Sequence, residues 1–234
     1  MIKYILPFFL FFSINSFAQK KKETPKHDIN SSLISGLNFR LVGPASTSGR
    51  IADIAVHPDN NNIWYVAAAS GGVWKTTNHG TTFQPIFDNY GSYSIGCVTI
   101  APSNSNTVWV GTGENNNQRA VAYGDGVYKS VDGGKSFKNM GLKDSEHIGK
   151  IIVHPTDENI IWVAAYGPVW SKGGERGVYK SVDGGETWKK TLDISEHTGI
   201  AEIAIDPTDA STLYASAHQR RRREWTYKFV GFKF

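Results

Sequence analysis

The chain has 234 residues, 20% charged and 40% hydrophobic, which excludes a wholly disordered chain and a multi-span membrane protein. One cysteine excludes an intramolecular disulfide framework and a thiolate zinc cluster, and 24 glycines with 12% aromatics point to strands and tight turns. Seven of the 25 Lys and Arg stand in two short clusters, residues 20–22 and 220–223, leaving 18 against 21 acidic residues elsewhere, so a broad nucleic-acid-binding face is excluded.

Residues 1–18 carry one charge, Lys3, and an apolar run, residues 5–12, too short to span a bilayer. Ser16-Phe17-Ala18 puts small residues at both recognition positions of a signal peptidase. The reading is a signal peptide over 1–18, cleaved after Ala18, then a flexible lead-in over 19–38. The mature chain is expected to be exported from a bacterium, to the periplasm, cell surface or medium, with no transmembrane span.

From residue 39 the chain repeats itself. Pro58, Pro102, Pro155 and Pro207 recur at spacings of 44, 53 and 52 residues. A short apolar strand precedes each: 54–56, 98–100, 151–153 and 203–205. A polar turn follows, then a second strand with an aromatic seven residues past the proline: Tyr65, Trp109, Trp162 and Tyr214. A third strand opens with glycine in Gly72-Val73-Trp74-Lys75, Gly126-Val127-Tyr128-Lys129 and Gly177-Val178-Tyr179-Lys180. A fourth is expected from Phe83, Phe137 or Trp188. Four short strands per ~50 residues predict an all-β chain, a partial β-propeller of four-stranded antiparallel blades: three blades and the start of a fourth over 39–219.

The turn between strands three and four repeats residue by residue. Ser130, Asp132, Gly134 and Phe137 match Ser181, Asp183, Gly185 and Trp188, with a looser copy at Asn78 and Gly80. The acid can accept backbone N–H groups, glycine supplies a positive φ, and the hydroxyl pairs with the turn. These are read as structural staples, with no metal site and no cofactor.

The Ser-x-Asp-x-Gly-x-Thr-Trp pattern resembles the Asp-box, or bacterial neuraminidase repeat. With Phe39-Arg40-Leu41-Val42-Gly43-Pro44 and Gly71-Gly72-Val73-Trp74-Lys75, the chain resembles the sortilin-type branch of Asp-box propellers, whose exported bacterial members are often labelled glycosyl hydrolases. The resemblance implies as many as ten blades, so the chain is expected to be a truncated N-terminal piece with an aberrant tail over 220–234. The remaining blades, or a partner chain, would close the propeller. Ala68-Ala69-Ser70-Gly71-Gly72-Val73-Trp74 also resembles the xyloglucan-cleaving propellers. That resemblance implies a catalytic Asp just before the Gly-Gly pair, where this chain has Ser70. The sialidase arginine segment is matched only in part, by Arg40-Leu41.

In such blades the loops after strands two and four share one face, and the Asp-x-Gly turns take the other. The first face gathers the candidate ligand-binding residues Glu114, Arg119, Trp170, Glu175, Arg176, Glu146, His147, Glu196 and His197. Polar, aromatic loops on a rigid scaffold are where binding concentrates. The expected partner is a protein, peptide or glycan. The alternative is the N-terminal part of a propeller glycoside hydrolase, which would need two carboxylates. Asp53, Cys97, Lys150 and Glu202 share one position in the first strands and are expected to line the central channel. Gly134-Lys135-Ser136 fails as a phosphate loop because Lys129 stands where the first glycine belongs.

Overall fold

The computed structural model describes residues 49–116 and 121–219. The signal segment, the lead-in, Arg119 and the tail over 220–234 lie outside the described residues. So do residues 39–48.

The inner strands form where β-branched and aromatic residues run for four to nine positions between turn residues, and the outermost strand of each four-stranded blade is only two to four residues long. The first sheet holds β1 (Ile51–Val56), β2 (Trp64–Ala68), β3 (Gly72–Thr76) and β4 (Gln84–Pro85), in sequence order and antiparallel throughout. The second holds β5 (Ile95–Ala101), β6 (Asn104–Thr112), β7 (Val127–Ser130) and β8 (Lys138–Asn139). The third holds β9 (Ile148–Val153), β10 (Ile161–Ala165), β11 (Gly177–Ser181) and β12 (Lys189–Leu192). A two-stranded sheet, β13 (Gly199–Ile205) with β14 (Leu213–His218), begins a fourth blade. The described residues are therefore all-β, a partial β-propeller of three blades and the inner half of another.

The core lies between blades. Tyr65, Val73 and Phe87 of the first pack on Val98, Val110 and Tyr128 of the second. Trp109, Val127 and Met140 of the second pack on Ile151, Val163 and Tyr179 of the third. Trp162 and Val178 meet Ile200 and Ile203 of the fourth. Each large side chain buried this way contributes about 1.5–3 kcal/mol.

The four innermost strands, β1, β5, β9 and β13, line one groove of about 430 Å³. Glycine lets them approach: a Cβ at Gly96 would sit 2.1 Å from the carbonyl oxygen of Ile148, and one at Gly149 would sit 2.3 Å from that of Ala201. Of the four residues expected to line the channel, Asp53 and Lys150 line this groove, whereas Cys97 is buried beneath it and Glu202 lies outside its lining. The Lys150 ammonium lies 3.3 Å from the Asp53 carboxylate, which also accepts the Val98 amide at 3.2 Å. Burial opposes the charge on Lys150, yet Asp53, Cys97 and Glu202 together raise its pKa. Cys97 is fully enclosed, and burial first, then Asp53, pushes its thiol up to about 12.

The fourth strands start one residue later than expected, at Gln84, Lys138 and Lys189. At Phe137 the cause is visible: its amide donates to the Tyr90 hydroxyl at 2.8 Å instead of entering the ladder. In the second blade the expected polar turn shrinks to Pro102-Ser103, with Ala101 paired to Asn104. No helix among the described residues is long and apolar enough to cross a membrane.

Candidate functional site

The repeated turns are closed by their own side chains. Asp132 Oδ1 accepts the amides of Lys135 and Ser136 at 2.9 Å each, and Oδ2 accepts the Ser136 hydroxyl at 2.6 Å. The Ser130 hydroxyl donates to Asp132 and accepts the Gly134 amide at 2.8 Å. Asp183 likewise accepts the Ser181 hydroxyl and the Thr187 amide and hydroxyl, while Ser181 Oγ accepts the Gly185 amide at 2.8 Å. Asn78 does the same work in the first blade, accepting the Thr82 amide at 2.9 Å. The Ser136 hydroxyl and amide hold the Asp132 carboxyl far below the ordinary carboxylate range. The hydroxyls of Ser181 and Thr187 hold Asp183 down to about 2. These carboxylates are committed to turn geometry.

The opposite face is built from the loops after strands two and four, and hydrogen bonds tie those loops to one another. Ser94 Oγ donates to the Ala122 carbonyl at 3.1 Å and Ser92 Oγ to that of Tyr123 at 2.9 Å, joining the first blade's last loop to the second blade's long one. The Gly124 amide donates to the Glu146 carbonyl at 2.7 Å. The Asp144 amide donates to the Glu175 carboxylate at 2.8 Å, and the Gly173 amide to the Glu196 carbonyl at 2.8 Å. The Tyr166 hydroxyl meets His218 Nδ1 at 2.9 Å. The rim is a continuous belt from the first blade to the fourth.

The sequence-derived candidates fall into two groups on this belt. Glu114, Arg176 and His147 turn inward. Glu114 is 1% exposed, pairs with Arg50, and takes its amide partner from Ser94 Oγ. Arg176 donates to the carbonyls of Tyr166 (3.1 Å), Gly173 (2.8 Å), Ser171 (2.7 Å) and Pro168, and so shapes the loop 166–176 from within. A Cβ at Gly167, where φ is +80°, would strike the Arg176 side chain, so that loop needs glycine there. The His147 ring lies 5.9 Å from the Tyr123 ring, with Nε2 4.0 Å from the Glu146 carboxylate.

Trp170, Glu146, Glu175, Glu196 and His197 remain at the surface or half-buried. Burial raises the pKa of Glu146, against the opposing pull of Arg176, and burial likewise raises that of Glu175. Glu146 and Glu175 flank Asp144 on adjacent loops. Glu196 holds Lys172 at 3.3 Å and His197 at 3.2 Å. Among the described residues three aromatics stand exposed on this face: Tyr93 (64%), Tyr123 (53%) and Trp170 (45%). Sequence reasoning picked out Trp170 and overlooked the two tyrosines and Arg50. The signal for Tyr93 was present, an aromatic inside Gly91-Ser92-Tyr93-Ser94 at the end of a blade. Ser70 is exposed in the turn between β2 and β3, on the same face.

No family model matches the chain. It is 29% identical over 121 residues to a xyloglucanase of Hypocrea jecorina, covering 50% of this chain and 13% of that protein. It is 24% identical over 202 residues to the xyloglucanase Xgh74A of Acetivibrio thermocellus, covering 76% of this chain and 22% of that one. Among solved structures, an ancestral GH74 enzyme aligns at a TM-score of 0.56 and 24% identity over 72% of this chain and 22% of its own. The GH74 enzyme of Niastella koreensis aligns at 0.54 and 22% identity, over 72% of this chain and 24% of its own. These likenesses establish the propeller fold. The chain spans about a fifth or less of the curated relatives it matches.

Proposed function

We propose that the chain is an exported propeller module of the Asp-box type that binds an extended ligand, by preference a glycan, across the face of the loops after strands two and four. On this reading residues 1–18 are the export signal, 19–38 the lead-in, 39–219 the blades, and 220–234 a tail outside the repeat. The observation that carries it is the belt: loops of the first three blades, with His218 at the end of β14, are fastened into one rim that presents Tyr93, Tyr123 and Trp170. Aromatic faces offer a large, rigid contact area at low entropic cost, and the neighbouring carboxylates supply acceptors for ligand hydroxyls. The sequence relatives are named xyloglucanases, which favours a β-glucan backbone as ligand. Ser70, at the position where the resemblance implies a catalytic Asp, favours binding without cleavage by this chain.

The test is titration of the purified chain with xyloglucan oligosaccharides by calorimetry, beside an assay for new reducing ends. Saturable binding, weakened about tenfold or more by Trp170→Ala, with no reducing ends released, is the expected result. Binding unchanged by Trp170→Ala and by Tyr123→Ala would remove the face from the account. A second reading, the N-terminal part of a glycoside hydrolase, is favoured by the same relatives. It requires turnover that Glu146→Gln or Glu175→Gln abolishes.

A further inference from the structure

Each blade receives the next through one repeated contact. The aromatic of strand two and the lysine of strand three are cross-strand partners: Tyr65 with Lys75, Trp109 with Lys129, Trp162 with Lys180. Each lysine lies over its aromatic, at 5.2, 5.3 and 5.0 Å from the ring centre. In the first two pairs the ammonium also reaches into the next blade's Ser-x-Asp-x-Gly turn. Lys75 Nζ donates to the Gly133 carbonyl at 2.7 Å, joined there by the Tyr65 hydroxyl at 2.9 Å. Lys129 Nζ donates to the Gly184 carbonyl at 3.0 Å. The following glycine lies against the ring itself: a Cβ on Gly134 would sit 3.1 Å from Tyr65, and one on Gly185 would sit 2.4 Å from Trp109.

The third pair has the same geometry and, among the described residues, no turn upon it. Among the described residues Lys180 reaches no carbonyl. Beside it runs a groove of about 300 Å³ lined by Trp162, Val178, Lys180, Leu192, Ile203 and Leu213. It lies between strands of the third blade and the β13–β14 pair, and the outer edge of β14 has no paired strand among the described residues.

We propose that this groove is a docking site for one occupant, a β-hairpin whose turn carries Ser-x-Asp-x-Gly-x-Thr-aromatic, seated as the two internal turns are seated. The hairpin's third-strand segment pairs with the edge of β14. The carbonyl between the acid and the packed glycine accepts Lys180 Nζ, and that glycine lies flat on Trp162. This surface is separate from the ligand face, and its occupant closes the sheet. The groove continues the series of two interfaces of the same construction, and the edge of β14, unpaired among the described residues, is one that β-strand addition is suited to fill.

The probe is a synthetic peptide of residues 177–190 of this chain, which holds a third strand, the turn and the start of a fourth strand. It is titrated into the full chain while Trp fluorescence and calorimetry are followed. Saturable binding is expected, weakened about tenfold by Lys180→Met in the chain, the loss of one charge-assisted hydrogen bond, and abolished by Asp183→Ala in the peptide. No saturation up to about 1 mM, or equal binding by Lys180→Met, overturns the proposal. A second readout needs no peptide. Lys180→Met is expected to lower the thermal midpoint less than half as much as Lys129→Met, because Lys180 has no turn to hold; equal losses would show Lys180 already engaged and overturn the proposal. A dimer of the free chain that persists in Lys180→Met and is not displaced by the peptide would assign the groove to a second copy and overturn it as well.

Discussion

Lys129 and Gly184 join the second blade to the third: the ammonium donates to the glycine carbonyl at 3.0 Å across 55 residues of sequence. The same lysine lies over Trp109, so one side chain binds two blades at once. The blade interfaces are apolar and non-directional over most of their area. This bond adds a directional contact between the two blades.

Replacing Lys129 by Met keeps the stem that packs on Trp109 and removes the ammonium. A hydrogen bond from a charged donor is worth about 1.5–3 kcal/mol, and partial exposure of the lysine puts the expected loss at the low end. Urea unfolding of Lys129→Met should show a lower midpoint with an unchanged slope. A midpoint equal to that of the parent chain would mean that apolar packing alone sets the interface.

Gly185 is expected to tolerate no side chain. Its φ is +94°, and an added Cβ would lie 2.4 Å from the Trp109 ring. Gly185→Ala therefore combines backbone strain with overpacking against a buried indole, and should cost about 2–4 kcal/mol. The comparison variant is Gly173→Ala. That glycine also has positive φ, +75°, but nothing lies within 4 Å of the added carbon. It should lose about 1 kcal/mol, the backbone part alone. Thermal unfolding of the two variants separates strain from packing.

The fold is legible in the sequence because its determinants are local. Apolar runs end at Gly, Pro, Asn and Asp, and the turn residues recur at fixed offsets in three copies. The small residue at positions 52, 96, 149 and 201 is also visible, but its meaning is not, since it depends on how closely strands of neighbouring blades approach. The candidate face is legible at the level of loops and illegible at the level of side chains. Glu114 and Arg176 look like exposed polar loop residues. The structure buries both, because a long loop must satisfy its own carbonyls and Arg176 supplies the donors. Trp170 remains exposed because the loop it tips is held from inside by that same arginine.

The enclosed thiol of Cys97 should be inert. Burial and the nearby Asp53 carboxylate push its pKa up to about 12, so almost no thiolate exists at pH 8. Alkylation by iodoacetamide is expected to be undetectable in the native chain over hours and complete within minutes in denaturant. Labelling at a native rate close to the denatured one would mean that the junction between the first strands of the second and third blades opens freely.

The turn carboxylates give the stability a pH dependence of definite sign. Asp183 is held at about 2 and Asp132 lower, both below the ordinary carboxylate value of about 3.9 in an unfolded chain. A group with a depressed folded pKa stabilises above its unfolded value, and that contribution is lost as pH falls through the folded one. Thermal midpoints should therefore be level from neutral pH to about pH 5, then fall between about pH 4 and pH 2. Asn78 shows which change to make. In the first blade the amide closes the turn, accepting the Thr82 amide at 2.9 Å and donating to the Thr82 hydroxyl at 2.9 Å. Asp183→Asn is accordingly expected to keep the blade folded at pH 7 and to flatten the acid limb, whereas Asp183→Ala should lower the midpoint by about 2–8 °C at neutral pH. A steep acid limb that survives both Asp132→Asn and Asp183→Asn would place the acid sensitivity elsewhere; the rim carboxylates Glu146 and Glu175, whose pKa values are raised, act in the opposite sense.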